Sequence, residues 1–339
     1  MARAGHEVIA ACQHNTALFE NANRIRPVQI DITKPETIPA CLDKTECIVH
    51  CAALLDIAAP KEVLHEVNVQ GTANMLAAAR AHNVERFIFF STAEVYDTPQ
   101  QMPVTEQNQL NPGTAYGRSK LAAEQLVQDA RREWGLQTII LRPSLVYGSG
   151  CIYAGGFFIL PLILKELGIR KLPVIRGNIK FNCVHVDDVV GFVEHLIKHD
   201  NGWNSVFTLA DNNIIDMESF QNIICQSFGF KSGFSIAYPI KTLALLSRLV
   251  KHVPLLWWFS PFAALVNAYW RKICHRYHLE PALRFPRVDS SILHFARIPG
   301  NFLFDNSRVR ATGYHFVCSS FDQGLNTMLD WYKIKRWVP

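Results

Sequence analysis

The sequence predicts an α/β fold with a doubly wound parallel sheet, followed by a smaller and mostly helical C-terminal region. Two observations support it: short apolar runs recur along the first half of the chain, and helical patterns separate them. The runs lack alternation of apolar and polar residues, as expected for parallel strands buried on both faces. Because 49% of the 339 residues are hydrophobic, the chain can also bury one large core or two moderate ones. The five runs are residues 6–12, 27–31, 47–52, 86–92 and 137–144.

Two long helices are predicted between these strands. One covers residues 67–82 and the other covers residues 112–134, where Asn111 before Pro112 indicates an N-cap with proline in the first turn. This order of strands and helices predicts a dinucleotide-binding domain and a substrate-binding region. The first comprises residues 1–147, with 181–210 returning to it, and the second comprises residues 148–180 and 211–339.

The beginning of the chain departs from this pattern. A Rossmann-type sheet starts with a strand and a glycine-rich turn, and the helix that follows binds pyrophosphate at its N-terminus. Here the first eight residues, MARAGHEV, look like the end of that helix running into the second strand, and no G-x-G-x-x-G spacing occurs. Gly148 and Gly150 come after the fifth run, too late for this role. We therefore expect a Rossmann-type sheet whose first strand and glycine-rich loop are missing from this sequence, with a native start further upstream.

Cysteine usage and the N-terminus indicate a reducing compartment. The nine cysteines include no C-x-x-C pair, and the two closest, Cys47 and Cys51, lie in an apolar run. We interpret them as small reduced hydrophobic residues and expect neither disulfides nor a metal site. The N-terminus lacks the pattern of a secretory signal, so a cytoplasmic location is expected.

The net charge of +5 is concentrated in a hydrophobic and basic segment, residues 236–278. Its apolar stretch contains tryptophans and phenylalanines and has lysines and arginines on both sides, while Pro254 and Pro261 interrupt it. Two interpretations remain open: an element at a membrane surface, or a helical cap on the substrate pocket with its basic side chains turned outward. A spanning helix is disfavoured because it needs roughly 20 predominantly apolar residues. Nucleic acid is disfavoured because no binding motif accompanies the basic residues.

A tyrosine and a lysine four residues apart carry the predicted chemistry. Tyr116 and Lys120 fall on one face of the second predicted helix, so the lysine ammonium can lie close to the phenol. A nearby cation lowers the pKa of a phenol from near ~10 toward values useful for proton transfer. Ser91 and Thr92 end a buried strand at the edge where such sheets bind ligands. Thr92 is predicted to hydrogen-bond a substrate oxygen, although both hydroxyls also suit a turn.

At these residues the sequence resembles the extended short-chain dehydrogenase/reductases of the NAD-dependent epimerase/dehydratase family, and the likeness spans nearly the whole chain. The segments are Asp31-Ile32-Thr33, His50-Cys51-Ala52-Ala53, the Asn68–Thr72 stretch NVQGT, the 141–148 stretch LRPSLVYG, and the 181–189 stretch FNCVHVDDV. The resemblance implies that Tyr116, Lys120 and Thr92 are catalytic. The cofactor-binding residues it implies are Asp31, Ile32, Cys51, Ala52, Ala53, Asn68, Ser91, Tyr116, Lys120, Pro143 and Val146.

Departures from the family pattern bear on the reaction. Sugar dehydratases of this family carry an acidic pair after the catalytic threonine, whereas this chain has Ala93 and Glu94. Dehydration is therefore disfavoured, and Glu94 and Tyr147 are weaker candidates for substrate contacts. The late hydrophobic segment looks more like the 3β-hydroxysteroid dehydrogenase branch. That likeness implies oxidation of a bulky, sterol-like secondary alcohol.

The resemblance also implies a cofactor and partners. NAD is the coenzyme that the resemblance favours. NADP remains the alternative, because Cys12, Gln13 and His14 supply neither the acid nor the arginine that distinguishes the two. A small-molecule substrate and a homodimer are expected from the family. Two alternatives to a dehydrogenase remain: a nucleotide-sugar epimerase, and an inactive relative without the phosphate loop.

Overall fold

The computed structural model describes residues 1–14, 23–56, 59–96, 101–176, 179–237, 256–285 and 302–339. The chain forms two compact units. Unit 1 comprises Met1–Asp97, Gln109–Pro143 and Phe192–Thr208, and unit 2 comprises Thr98–Asn108, Ser144–Gly191 and Leu209–Pro339.

The described residues contain strands and helices in the order that an α/β fold requires. The strands are β1 (Val8–Cys12), β2 (Ile25–Gln29), β3 (Cys47–His50), β4 (Arg86–Phe90), β5 (Gln137–Pro143), β6 (Leu145–Tyr147), β7 (Lys171–Arg176), β8 (Lys180–His185), β9 (Ser205–Leu209), β10 (Ile214–Asp216) and β11 (Lys231–Ala237). The helices are α1 (Lys61–Leu64), α2 (Gly71–Ala81), α3 (Ala115–Trp134), α4 (Ile152–Glu166), α5 (Val186–Lys198), α6 (Met217–Ser227), α7 (Leu256–Tyr277), α8 (Ser307–Ala311) and α9 (Phe321–Ile334).

The parallel sheet of unit 1 confirms the predicted fold class. Its order is β3-β4-β5-β9, with β4 parallel to both β3 and β5. The middle residues of β4 and β5 are buried, which explains why their sequences are continuous apolar runs. The core of this unit includes Phe87, Phe89, Val127, Leu136 and Ile140.

A second piece of sheet in unit 1 consists of β1 paired in parallel with β2. Over the described part of the chain, no ladder joins this pair to β3. On β3, Val49 is 37% exposed, whereas its neighbours Ile48 and His50 are buried. The doubly wound sheet of this chain therefore consists of two separately bonded parts.

The N-cap of helix α3 lies three residues beyond the predicted one. Asn111 donates its backbone N–H to the carbonyl of Val95, and the N-cap is Thr114, whose hydroxyl accepts the N–H of Gly117. The helix ends at Gly135, whose φ of 74° suits a glycine C-cap. The helix predicted over residues 67–82 is also divided, because a π-helical segment precedes α2.

Unit 2 contains small sheets as well as helices. One sheet has the order β10-β8-β6, and the other pairs β11 with β7. The boundaries differ from the predicted domains. The second stretch of unit 1 ends at Pro143 instead of residue 147, and the stretch that returns to unit 1 is Phe192–Thr208 instead of 181–210. Strand β8 therefore belongs to unit 2. The core of unit 2 includes Phe158, Ile159, Trp270, Leu325 and Tyr332.

Helix α7 accounts for the second half of the hydrophobic and basic segment, whereas residues 238–255 lie outside the described residues. One face of α7, comprising Ala263, Val266, Trp270, Ile273 and Cys274, is buried in the core of unit 2. The arginine and lysine side chains at positions 271, 272 and 276 are exposed. This packing agrees with a helix that buries one face and turns its basic side chains outward. Among the helices described, none is both long and apolar enough to cross a membrane.

Candidate active site

Tyr116 and Lys120 lie one turn apart in the first half of α3, and both side chains are buried. The Lys120 ammonium lies 4.3 Å from the centre of the Phe89 ring on β4, a cation–π contact that compensates part of its lost hydration. Burial lowers the pKa of Lys120 to about 8, against the opposing influence of Cys51 and Glu124. A lysine with this pKa changes its charge close to neutral pH, which is unusual away from functional sites.

Asn68 connects this helix with the segment that follows β3. Its side-chain amide accepts the N–H of Leu54 at 2.7 Å and donates to the Leu54 carbonyl at 3.1 Å. It also donates to Ser119 Oγ at 2.9 Å, and Ser119 in turn donates to the Tyr116 carbonyl at 2.7 Å. Asn68 therefore positions both the helix carrying Tyr116 and the strand end. The predicted cofactor residues at that strand end are Cys51 and Ala52, which are exposed, and Ala53, which is half-buried.

Ser91 and Thr92 lie at the carboxyl end of β4, as predicted. The Ser91 backbone N–H donates to the Leu141 carbonyl at 2.7 Å. Its hydroxyl is buried and has no hydrogen-bond partner within the described chain, so it can bond to a ligand. Thr92 Oγ1 accepts the N–H of Glu94 at 3.2 Å, so it also fulfils the turn-forming role considered from the sequence.

Glu94 is held by the start of α3. Thr114 donates its hydroxyl to Glu94 Oε2 at 2.9 Å while it caps the helix. Gly117 packs closely here, since a Cβ at this position would lie 3.1 Å from the Glu94 carbonyl oxygen. These contacts fix the carboxylate near the N-terminus of α3, where the helix dipole stabilises a negative charge.

Asp31 and Ile32 follow β2, and their contacts are structural. Asp31 Oδ1 accepts the N–H and the hydroxyl of Thr33, and Gln13 Nε2 donates to Oδ2 at 3.1 Å. The hydrogen bonds from Thr33 lower the pKa of Asp31. The Ile32 carbonyl accepts from Asn74 Nδ2 at 2.8 Å, a contact that the sequence analysis did not anticipate.

Ile32 also explains the glycine of the NVQGT segment. A Cβ on Gly71 would lie 2.6 Å from Ile32 Cδ1 and 2.8 Å from Cγ1. Ile32 is buried, and its β-branched side chain has few alternative rotamers. The close approach of α2 to the loop after β2 therefore requires glycine.

We expect Gly71→Ala to lower the free energy of unfolding by about 1 to 2 kcal/mol, because the overpacking exceeds the gain in helix propensity. Urea titration at equilibrium measures this loss. The matched variant is Ile32→Val, which removes Cδ1, and a double-mutant cycle should show that it relieves part of the effect. Purely additive losses would contradict the proposed contact.

His50 is a buried residue of the site region that belongs to the His50–Ala53 segment of the family resemblance but was not predicted to be a site residue itself. Its Nε2 lies 3.1 Å from Thr72 Oγ1, and its ring stacks on Phe89 with 5.9 Å between centres. Burial and the positive charge of Lys120 lower the pKa of His50 to about 3. The imidazole is therefore neutral at physiological pH. The signal in the sequence was a polar residue within an otherwise apolar strand.

The remaining predicted residues are divided between the units. Pro143 ends β5 in unit 1 and is half-buried, whereas Val146 and Tyr147 belong to β6 of unit 2. Tyr147 is 2% exposed, and its hydroxyl lies 3.5 Å from Cys318 Sγ. This placement makes Tyr147 a core residue of unit 2 and gives no support to a substrate contact.

Comparison with known proteins identifies the family. The profile of the NAD dependent epimerase/dehydratase family matches residues 1–210, more than half of the chain. The chain belongs to this family. Its parallel sheet, with buried tyrosine and lysine on α3, agrees with that membership.

Two curated family members and one solved structure illustrate the likeness. UDP-glucose 4-epimerase of Vibrio cholerae is 29% identical over 193 residues, 54% of this chain and 57% of that enzyme. The 4-hydroxy-2-methyl-3-oxo-4-farnesyl-3,4-dihydroquinoline-1-oxide ketoreductase of Stigmatella aurantiaca is 26% identical over 212 residues, 61% of each chain. The structure of UDP-glucose 4-epimerase from Thermotoga maritima with UDP-glucose has a TM-score of 0.68 at 19% identity, covering 98% of this chain and 93% of that one.

These comparisons limit what is transferred to this chain. The matched region spans less than two thirds of either curated relative. The similarity to the Thermotoga structure concerns the fold alone. The expected likeness to the 3β-hydroxysteroid branch receives no support from these relatives.

Proposed function

We propose that this chain is an NAD-dependent enzyme that interconverts a secondary alcohol and a ketone, with Tyr116 as the group that moves the hydroxyl proton. The observation that carries the proposal is the buried Tyr116–Lys120 pair, in which the lysine pKa is lowered to about 8. A buried tyrosine beside a cation suits general acid–base catalysis. Membership of the family supports the same chemistry.

Each residue of the site has a part in this reaction. Tyr116 takes the proton from the substrate hydroxyl in oxidation and returns it in reduction. The charged form of Lys120 favours the phenolate and can bond to the ribose of the cofactor. Thr92 orients the substrate oxygen, and Asn68 holds α3 in position through its hydrogen bond to Ser119. When bound, NAD accepts or returns the hydride.

The residues fit the nicotinamide-ribose part of a dinucleotide. The buried Ser91 hydroxyl has no partner among the described residues and lies at the carboxyl end of the sheet, where these cofactors bind. No glycine-rich turn for the pyrophosphate occurs in this sequence, so the residues present fit only the nicotinamide-ribose part of the dinucleotide. NAD is preferred to NADP because the chain belongs to the NAD dependent epimerase/dehydratase family. The residues at the end of β1 and just after it, Cys12 to His14, supply neither an acid nor an arginine to select between the two.

The substrate class has two candidates. A ketoreductase among the relatives supports net oxidation or reduction of a bulky ketone or alcohol. The epimerases support a second function, in which a nucleotide sugar is oxidised and then reduced on the opposite face. Both reactions use the same proton transfer by Tyr116.

The test is to purify the protein as its own cell makes it and to identify any released dinucleotide by mass spectrometry. The protein is then assayed with bulky secondary alcohols and ketones, including sterols, and with UDP-sugars. A change in reduced-nicotinamide absorbance supports the dehydrogenase, whereas interconversion of UDP-sugars without net redox change supports the epimerase. Failure to bind NAD or NADP, together with no turnover of either class, would overturn the proposal and favour an inactive relative.

A further inference from the structure

The outward face of helix α7 combines apolar and basic side chains in solvent. In the first half of the helix, Leu265 is 69% exposed, and Phe262 one turn earlier is exposed as well. In the second half, the outward positions are basic: Arg271, Lys272 and Arg276 are all exposed. The opposite face of α7 packs in the core of unit 2. The outward side chains therefore form a surface separate from the face that fixes the helix in the fold.

The loop after α4 extends this surface. Arg276 forms an ion pair with Glu166, the last residue of α4, and Tyr277 donates its hydroxyl to the other oxygen of that carboxylate at 2.9 Å. These contacts hold the end of α4 against the end of α7. Leu167 follows directly and is 58% exposed, and Ile169 is 40% exposed. Two further apolar side chains are therefore in solvent beside the basic half of α7.

Positive charge predominates around these apolar side chains. Arg170 and Lys171 continue the loop and are exposed. Residues 219–279, which include all of α7, contain no aspartate or glutamate. The acids that adjoin the surface in sequence are Glu166, whose two oxygens are both bonded to the end of α7, and Glu280, just beyond the helix. The surface therefore has an excess of positive charge and attracts an anionic partner.

A bilayer with anionic headgroups matches both properties of this surface. At such an interface, lysines and arginines contact the headgroups while apolar side chains reach the boundary with the acyl chains. Tryptophan favours the same layer, and the first turn of α7 has the sequence Leu256-Trp257-Trp258-Phe259. A nucleic acid would match the cations but would leave Leu167 and Leu265 in water. Charge and exposed apolar area together therefore favour a lipid surface.

We propose that the outward face of α7 and the loop of residues 167–171 form a surface that binds peripherally to membranes containing anionic lipids. The two interpretations of the hydrophobic and basic segment are then compatible, because the inner face of α7 packs in unit 2 while its outer face contacts headgroups. The inference does not depend on the proposed function, since it involves neither Tyr116 nor a cofactor.

The experiment is cosedimentation of the full chain with sucrose-loaded vesicles, either of phosphatidylcholine alone or of phosphatidylcholine and phosphatidylglycerol in equal parts. We expect binding to the anionic vesicles and little binding to the neutral ones. Each lysine or arginine near an anionic surface contributes about fivefold to binding, so Arg271→Gln with Lys272→Gln should weaken it by about 25-fold. The matched control is Lys61→Gln with Arg132→Gln, which removes the same charge from exposed positions of unit 1 and should leave binding nearly unchanged.

A second variant tests the apolar contribution without a change of charge. Leu265→Ser should weaken binding to the anionic vesicles by about tenfold, because the leucine side chain leaves water on binding. Val63→Ser, at an exposed position of α1 in unit 1, is the matched control and should have no effect. All four altered proteins carry exposed substitutions, and circular dichroism checks that they remain folded.

Three outcomes would overturn the proposal. The first is an absence of binding to the anionic vesicles, and the second is equal binding to the neutral ones. The third is an equal loss in the α7 variants and their controls, which would reduce the interaction to the net charge of the chain. Sedimentation velocity without vesicles covers the other occupant of such a surface: self-association that weakens in Leu265→Ser, with no vesicle binding, would replace the lipid surface by a second copy of the chain.

Discussion

Tyr116→Phe is expected to reduce kcat by about 10² to 10⁴-fold, the range that positioned proton transfer contributes to catalysis. The substitution removes only the phenolic oxygen and keeps the ring, which is 7% exposed and packed at the start of α3. Folding should therefore be nearly unchanged. The loss should appear equally in kcat and kcat/KM, because the phenolic oxygen is expected to stabilise the transition state of proton transfer and not the binding of substrate.

The control for this variant is Tyr277→Phe. Tyr277 is exposed on α7 of unit 2, and its hydroxyl donates to Glu166 at 2.9 Å, so a phenolic oxygen is again removed, from a residue with no role in the proposed chemistry. We expect near-normal kinetics from the control, measured with the substrate that the assays identify. Thermal unfolding of both variants separates catalysis from stability. Near-normal turnover in Tyr116→Phe would show that another group transfers the proton.

The strands of unit 1 could be predicted because their signal is local. Residues 86–92 and 137–144 were identified as apolar runs, and β4 and β5 occupy most of them. The start of helix α3 was harder to predict, because its N-cap depends on contacts with residues distant in sequence. Asn111 and Thr114 are both good N-cap residues, and the choice is decided by where the chain leaves its contact with Val95.

The candidate site could be predicted only as far as its residues are close in sequence. Tyr116 and Lys120 share a helix, so their spacing alone places them together. The buried ion pair formed by Glu124 on α3 and Arg142 on β5 joins a helix to a strand 18 residues away, and no local pattern indicates it. A charged residue within an apolar strand was the signal available, because such a residue needs a buried partner.

The hydrophobic segment near the C-terminus shows the limit of composition as a guide. Its composition left two interpretations open, a membrane-surface element and a helical cap, and the spacing of Val266, Trp270 and Ile273 on one buried helix face agrees with both. Tyr147 was placed near substrate by its motif, yet it packs against His185 and Phe321 in the core of unit 2. Neither packing arrangement follows from the residues alone, since both depend on partners distant in sequence.

Asp211 in unit 2 is expected to make the stability of the protein depend on pH. It is 1% exposed, and its Oδ2 has no hydrogen-bond partner in the described part of the chain, although Oδ1 accepts the Asn213 N–H at 2.9 Å. Burial raises the pKa of Asp211 to about 6, and the neighbouring charge of Asp188 adds to the effect. Asp188 remains well bonded, since it accepts the hydroxyl of Tyr314 at 3.1 Å.

The sign follows from the direction of this shift. In the unfolded chain the carboxyl has a pKa near 3.8, so between about pH 4 and 6 the folded state binds the additional proton. The favourable contribution of Asp211 is therefore fully present below the unfolded pKa and is lost as pH rises through the folded one. Between about pH 4.5 and 7.5 the loss amounts to about 2 kcal/mol.

Asp211→Asn should remove this dependence, because an amide does not ionise. We expect the variant to gain about 2 kcal/mol relative to the wild type when urea unfolding is compared at about pH 7.5 and about pH 4.5. Comparing the same pair at two pH values cancels the cost of burying the amide NH₂ group, which is present at both. Asp330→Asn, on a side chain that is 71% exposed, provides the matched control and should follow the wild-type curve. Parallel curves for Asp211→Asn and the wild type would mean that Asp211 does not hold its proton above the usual range.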